Sequence, residues 1–318
     1  MDLLADAIAA MRVGTPHSTR TQVRAPWGQR FPPQDGAGFH VVLRGSCWLT
    51  PARGAPIRLQ VGDVAFLPRE MGHAIGDRPG GPPWNGTERA VLDTGRTAAG
   101  TPSEDASTTV LLCGAYRLDQ SRAHPLLSEL PDVIHLPARI GHHTALRGAI
   151  DLLGLELDTR NHSGVIAPLL EVLLQYMLRA WYDDQPEDTG WAGALRDPAL
   201  YAALAAMHRE PAAPWTVRSL GAVGGLSRSV FAQRFTAVIG TAPQTYLTWW
   251  RMTLAARMLR DTDALVRVVA ERCGYTSEFA FAKAFKREFG VAPGRYRNSA
   301  TSTENGDGRS GEQDQPSA

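Results

Sequence analysis

At 318 residues the chain is long enough for two domains, each with its own core. Its composition is that of a globular protein and its net charge is only +1, yet residues 196–297 hold 15 Lys and Arg against 7 Asp and Glu, a net +8 that leaves −7 for the remainder. A basic third on an acidic body is the footprint of a polyanionic partner, and three cysteines (Cys47, Cys113 and Cys273) without a C-x-x-C pair exclude a disulfide framework or zinc knuckle and point to a reducing compartment.

Taken in chain order, "MDLLADAIAAMR" carries two acids and no basic n-region, so it is not a secretory leader. Leu4, Ile8 and Met11 sit at helical spacing and predict a short docking helix. From Phe39 to Leu136 the reading is β-rich. "FHVVLRGSCWLT", "GDVAFLP" and "TTVLLCGAYRLD" are short β-branched and aromatic runs bounded by Gly and Pro. Short strands without intervening helices suggest a small barrel or sandwich. The stretch 76–108 between two of these runs is dense in Gly, Pro, Ser and Thr and reads as a mobile loop.

Residues 141–182 read as helical. In the second helix Glu171, Gln175 and Arg179 form one narrow polar stripe, and nearly everything else is apolar. Such a helix is covered on more than one side: either it packs on the strands and on a second subunit, or it is one well-buried helix. No run of 18 apolar residues occurs, so no membrane partner is expected. Residues 183–195, with "DDQPEDTG", read as a charged linker, and the tail 299–318 lacks periodicity and reads as disordered.

The C-terminal third contains a repeat. "SRSVFAQRFTAVIGTAPQTY" from Ser227 matches "SEFAFAKAFKREFGVAPGRY" from Ser277 at an offset of 50. Each copy reads as helix, glycine-containing turn, helix. Gly225 and Gly274 suit the left-handed end of the first helix, and Ser227 and Ser277 cap the second. This is helix-turn-helix grammar written twice. Phe231 and Phe235, and Phe281 and Phe285, lie one turn apart and form the buried face. The opposite face shows Arg228, Ser229, Ala232, Gln233 and Thr236 in the first copy. In the second it shows Phe279, Ala280, Lys283, Lys286 and Arg287. Gln233 suits adenine, Lys283 guanine, and Phe279 a thymine methyl. "TYLTWWRMTLAARMLRDT" reads as one long helix joining the two motifs.

Residues 196–298 resemble the DNA-binding domain of AraC-type transcriptional regulators. The carrying motifs are "WTVRSLGAVGGLSRSVFAQRF", "TYLTWWRMTLAARMLR" and "VAERCGYTSEFAFAKAFKREFGVAPGRYR". The resemblance implies base-reading positions at Ser229, Ala232, Gln233, Phe279, Ala280 and Lys283, with Arg228, Lys286 and Arg287 on phosphate. It departs at Gly221 and Gly224, where small helix-forming residues are usual. Glycine costs about 1 kcal/mol relative to alanine inside a helix, so a looser first motif is expected. Residues 1–140 resemble the cupin-type sensor domain of such regulators: Gly62, Pro68 and His73 in "GDVAFLPREMGH" fit its second motif, and His40 lies near the first.

The expected fold class is therefore α+β multidomain: an N-terminal cupin-like β-barrel, a helical dimerisation segment and a C-terminal all-α double helix-turn-helix domain. The implied function is a cytoplasmic, sequence-specific regulator that binds double-stranded promoter DNA as a homodimer, contacts RNA polymerase and answers a small-molecule or redox signal. The effector pocket is assigned to His40, Trp48, Phe66, His73, Cys113 and Tyr116. Cys47 and Cys113 are the redox candidates. No cofactor and no metal are expected, because two imidazoles with Arg44 where a carboxylate would stand do not make a metal centre. The rival reading is a cupin enzyme with a DNA-binding appendage, in which His40 and His73 hold the metal. G-x-S-x-G and the P-loop are absent from the sequence, and G-x-G-x-x-G occurs only in the aperiodic tail at Gly306–Gly311, so no catalytic residues are assigned.

Overall fold

The computed structural model describes residues 2–80, 108–118, 124–158, 164–185 and 190–298. It forms two compact units, one of residues 11–186 and one of residues 1–10 with 187–318. Helix α1 (Leu3–Met11) opens the chain, and its Leu3, Leu4, Ala7, Ile8 and Met11 are buried. Residues 81–107 of the expected loop and the whole expected tail lie outside the described residues, whereas Gly76 and Thr108 at the loop's ends are strand residues.

The first unit is built on nine strands: β1 (His17–Arg24), β2 (Gly28–Phe31), β3 (Ala37–Arg44), β4 (Ser46–Pro51), β5 (Ile57–Gln60), β6 (Val64–Leu67), β7 (His73–Gly76), β8 (Thr108–Tyr116) and β9 (Ile134–Leu136). They form a five-stranded sheet, β1-β8-β3-β6-β9, and a four-stranded sheet, β2-β7-β4-β5. Among the described residues each sheet ends in edge strands, so of the two forms the short strands suggested, barrel or sandwich, the unit takes the sandwich. Val42, Ala65, Leu67 and Leu111 from the larger sheet meet Cys47, Leu49, Leu59 and Ile75 from the smaller one in a single core. The side chains of a strand alternate between faces. The other set on the larger sheet, with Phe39, Val41, Phe66 and Leu112, is buried as well.

After the short α2 (Pro125–Ser128) come α3 (Thr144–Asp158) and α4 (Ile166–Asp183). In α4 Leu170, Leu173, Leu174, Met177 and Leu178 are buried. The Tyr116 hydroxyl donates to the Leu170 carbonyl at 2.8 Å, and the Tyr182 hydroxyl to that of Leu126 at 2.7 Å. The polar stripe of α4 is put to use: Glu171 pairs with Arg12.

The second unit is helical: α5 (Gly190–Arg196), α6 (Pro198–Arg209), α7 (Val217–Val223), α8 (Arg228–Ile239), α9 (Pro243–Asp261), α10 (Val266–Arg272) and α11 (Glu278–Phe289). The stretch read as linker thus ends in a helix, α5, whose Trp191 is buried. His208 stacks on Trp250 with centroids 3.8 Å apart, and its Nε2 meets the Tyr246 hydroxyl at 2.7 Å. Asp6 on α1 places a carboxylate oxygen 3.5 Å from His208 Nδ1. A second cluster gathers Met252, Leu259, Val269, Phe281 and Phe285.

The two departures in α7 have a packing cause. Gly224 is the C-cap of α7, and a Cβ there would stand 2.7 Å from the Ala199 carbonyl oxygen of α6. At Gly221 a Cβ would meet the Leu226 carbonyl at 3.0 Å and the Phe231 Cβ at 3.1 Å. Close approach of α6 and α8 to α7 is what the glycines allow, so the looseness expected from their helix propensity is offset by tight packing. Gly224→Ala should therefore destabilise the helical unit by about 1–3 kcal/mol through overpacking against backbone, opposite in sign to alanine's helix propensity. Thermal unfolding of the full chain reads this, and a raised melting temperature would refute the packing account.

Candidate nucleic-acid interface and sensor core

The second helices of the two helix-turn-helix motifs, α8 and α11, are built alike. Ser227 and Ser277 sit at their N-caps with extended backbone, and each Oγ accepts from the N–H three residues on, Val230 at 3.4 Å and Ala280 at 3.3 Å. Each helix is 12 residues long and ends on a left-handed glycine, Gly240 at φ 78° and Gly290 at φ 75°. The turns ahead of them pass through Gly225 at φ 69° and Gly274 at φ 78°, a region that costs glycine little. α7 carries a capping box between Thr216 and Ser219, a signal the sequence reading overlooked.

Phe231 and Phe235 in α8, and Phe281 and Phe285 in α11, are fully buried, which turns the opposite faces outward. Ser229 and Gln233 on α8 are exposed and Ala232 is half-buried. Ala280 and Lys283 on α11 are exposed. Phe279 is 80% exposed. Arg228, Lys286 and Arg287 are exposed, and Arg287 shares Glu288 at 3.3 Å.

Not all of the local positive charge is available to a partner. Arg234 is held by Asp197 at 2.6 Å, and the other oxygen of that carboxylate caps α6 by accepting from Ala199 and Leu200 N–H. Arg251 donates to the carbonyls of Pro211 at 2.7 Å and Ala213 at 2.8 Å. Arg260 donates to the Tyr296 hydroxyl at 3.1 Å, and Arg257 pairs with Asp261. Arg218, Arg272 and Arg295 are exposed cations that the sequence reading did not single out.

In the sandwich, the six residues assigned to one pocket divide among three layers. His40, His73 and Cys113 converge between the sheets. Phe66 lies in register with Phe39 on the opposite face of the larger sheet, where Tyr116 also meets Phe39, with ring centroids 5.7 Å apart. Trp48 lies between the buried Cys47 and Leu49 on β4 and is half-buried on the other side. The shared pocket is corrected on this ground: strand alternation sends these side chains apart. A small, partly open pocket beside the inter-sheet core, of about 30 Å³, is lined by Pro51, Leu67, Gly72 and Val133 together with Arg53, Arg69 and Asp132.

The convergent group is a hydrogen-bonded chain. His40 Nδ1 lies 2.9 Å from Cys113 Sγ, and the two Nε2 atoms of His40 and His73 lie 2.7 Å apart. His73 Nδ1 lies 2.7 Å from a Glu70 carboxylate oxygen. With both rings neutral and Glu70 as the carboxylate, a single proton arrangement satisfies every link. Cys113 S–H donates to His40 Nδ1, His40 Nε2–H to His73 Nε2, and His73 Nδ1–H to Glu70. Phe31 stacks on His73 at 4.6 Å. Gly38 makes room for the acid, since a Cβ there would stand 2.4 Å from Glu70 Oε2.

Glu70 is the residue that sequence reasoning missed. It stands three positions before His73, with no periodic signal to mark it. Burial, then the neighbouring His73, holds the His40 pKa well below 6.5, and burial pushes the Cys47 and Cys113 thiols up to about 12. Both cysteines are therefore protonated thiols at neutral pH. Among the described residues no group of three or more His, Cys, Asp or Glu is arranged to hold a metal ion.

The sandwich and the doubled, solvent-facing helix-turn-helix define a two-domain DNA-binding regulator. The Cupin family profile matches residues 2–183 and a helix-turn-helix domain profile matches residues 220–299. A putative AraC-like transcription regulator of Streptomyces lividans is 32% identical over 95% of this chain and 99% of its own length. The HTH-type transcriptional regulator AlkR of Acinetobacter baylyi is 27% identical over 93% of this chain and 99% of its own. The DNA-binding domain of AdpA, solved in complex with a target DNA, is 31% identical, covering 34% of this chain and 97% of that one, with a TM-score of 0.33. The chain belongs to the AraC-type DNA-binding transcription regulators with a cupin-like N-terminal domain. No described helix is long and apolar enough to cross a membrane.

Two measurements test this geometry. Asp197→Asn keeps a cap acceptor but removes the charge facing Arg234, and should cost about 1 kcal/mol, discounted for the half-exposed arginine. Denaturant unfolding reads it, and an unchanged midpoint would show the pair to be inert. His40 titrates below its unfolded value, so below pH ~6.5 the unfolded chain binds a proton that the folded one refuses. Stability present at pH 7.5 should fall on acidification, with a slope of up to about 1.4 kcal/mol per pH unit. In His40→Gln that slope should become shallower, the remainder coming from His208, which burial also holds below 6.5, as followed by urea unfolding at pH 7.5 and 5.5.

Proposed function

We propose that the chain reads double-stranded promoter DNA with α8 and α11 in two successive major grooves. The observation that carries this reading is the matched pair of capped helices, each with a buried phenylalanine face and a polar or cationic face in solvent. α9 joins them. At 1.5 Å per residue its 19 residues make a rod of about 28 Å, near the 34 Å repeat of the duplex. In this reading Ser229, Ala232, Gln233, Phe279, Ala280 and Lys283 face base edges, and Arg228, Lys286 and Arg287 face phosphate. Gln233 reads adenine, Lys283 reads guanine, and Phe279 lies against a thymine methyl.

The protein acts in the cytoplasm as a homodimer that engages RNA polymerase. It performs no catalysis, and its sandwich answers a small molecule or a redox change. Its response to that signal is a population shift between DNA-competent and DNA-incompetent arrangements. The regulator's own upstream region and genome-wide bound fragments are the places to test the reading by footprinting. Gln233→Ala should erase the preference at one base position, worth about 1–3 kcal/mol. Lys286→Ala should weaken all sites alike and reduce the salt slope by about 1. A native chain that protects no DNA in either assay overturns the reading.

A further inference from the structure

Lysine is almost absent from this chain. Of its 33 Lys and Arg residues only Lys283 and Lys286 are lysines, and every other one is an arginine. Both lysines lie on α11, three residues apart, and both are exposed. The matching positions of α8, 50 residues earlier, hold Gln233 and Thr236, so the amines belong to the second helix-turn-helix motif alone.

Arginine and lysine differ in what they can become. A guanidinium stays protonated and delocalised and does not take up an acyl group at neutral pH. A lysine amine that has lost its proton is a nucleophile and an acyl acceptor. Thiols are the other side chains that attack acyl donors readily. Here Cys47 and Cys273 are buried, and the Cys113 sulfur is turned toward His40 in the sandwich core. The good acyl acceptors that stand in solvent are therefore confined to one face of one helix. Among the described residues neither lysine amine has a salt-bridge or hydrogen-bond partner, whereas Arg287 beside them is shared with Glu288.

We infer that Lys283 and Lys286 are an acylation site, which takes an acetyl group from an acetyl thioester or an acetyl phosphate and thereby releases α11 from DNA. The free amine attacks the acyl carbon, and an amide bond forms. The bond from that carbon to sulfur or to the phosphate oxygen breaks, and the proton lost by nitrogen goes to the departing thiolate or phosphate. The product is neutral. Acetylated Lys286 has no charge to offer a phosphate. Acetylated Lys283 exchanges three N–H donors for one and loses its hold on guanine. α8 contains no lysine and keeps Arg228, so the change falls on one of the two grooves. DNA and the acyl group compete for the same two nitrogens. By linkage, bound DNA shields the amines and acetylated protein is held off DNA.

This rests on the placement of α11 against DNA in the reading above, and the test keeps the two separable. The full chain is treated with acetyl phosphate or with acetyl-coenzyme A, alone and on a fragment it protects in footprinting, and then cut after glutamate. Both lysines fall in the single peptide of residues 279–288. That peptide should carry acetyl in the free protein, the two treatments showing which donor serves, and should carry much less when DNA is bound. Treated protein should bind the fragment about tenfold or more weakly, with a salt slope shallower by about 1 to 2 and protection lost first over the α11 half of the site. Lys283→Arg with Lys286→Arg should show the same binding before and after treatment, compared within that variant. No acetyl on the peptide from either donor overturns the switch, as does acetylated protein that binds like untreated protein. A double arginine variant whose binding falls on treatment as the native chain's does overturns it too, because the modification then acts elsewhere. Where Lys286→Ala weakens binding but the peptide takes no acetyl, the switch falls and the DNA interface stands. An untreated native chain that protects no DNA overturns both.

Discussion

Two phenylalanines one helical turn apart anchor the second helix of each helix-turn-helix motif. Phe231 and Phe235 in α8, and Phe281 and Phe285 in α11, are excluded from water. Burying one such ring contributes roughly 1.5–3 kcal/mol, so the pair fixes the helix's rotation about its own axis more firmly than any surface charge. Once that rotation is set, the identity of the outward residues follows by helical geometry. The serine cap and the left-handed glycine set where each helix begins and ends. The contact surface is thus a by-product of core packing, and its residues are free to vary without disturbing the fold.

The two motifs are nevertheless unequal. In α8, Arg234 is bound to Asp197, and the outward face is left to neutral Ser229, Gln233 and Thr236 with Arg228 at the start. In α11, Lys283, Lys286 and Arg287 remain at the surface beside Phe279. The net +8 of this region already counts that pairing; what the pairing changes is placement, so that of the two helices the second carries most of the exposed cations. Arg251 is another cation absorbed by the structure, spent on two backbone carbonyls.

What could be read from sequence follows from how local the signals are. The caps, the turn glycines and the phenylalanine spacing act within a dozen residues, so the repeat was legible in full. β1 and β2 were not. "HSTRTQVR" is polar and half-exposed, and it is a strand because β8 pairs with it residue for residue from His17 to Arg24. The pocket failed for a related reason. Alternation separates Trp48 from Cys47 on one strand, but only cross-strand register decides that Phe66 shares a face with Phe39 and not with His40. Gly224 misled because its constraint, the Ala199 backbone, belongs to another helix.

The same limit explains Glu70. Sequence placed Arg44 where a carboxylate was sought, yet the acid comes from the turn before β7 and reaches the sheet over Gly38. Its presence changes the character of the sandwich core. A buried carboxylate is costly unless it is hydrogen-bonded, and His73 supplies the bond. That bond fixes the His73 tautomer, which fixes that of His40, which in turn makes Cys113 the donor at the far end. Four residues from three strands and a turn are ordered by one carboxylate. A ligand or modification that breaks any link leaves the others unsatisfied in a low-dielectric layer, where an unmade hydrogen bond is most costly. The four side chains are therefore coupled through shared protons, each link depending on the next.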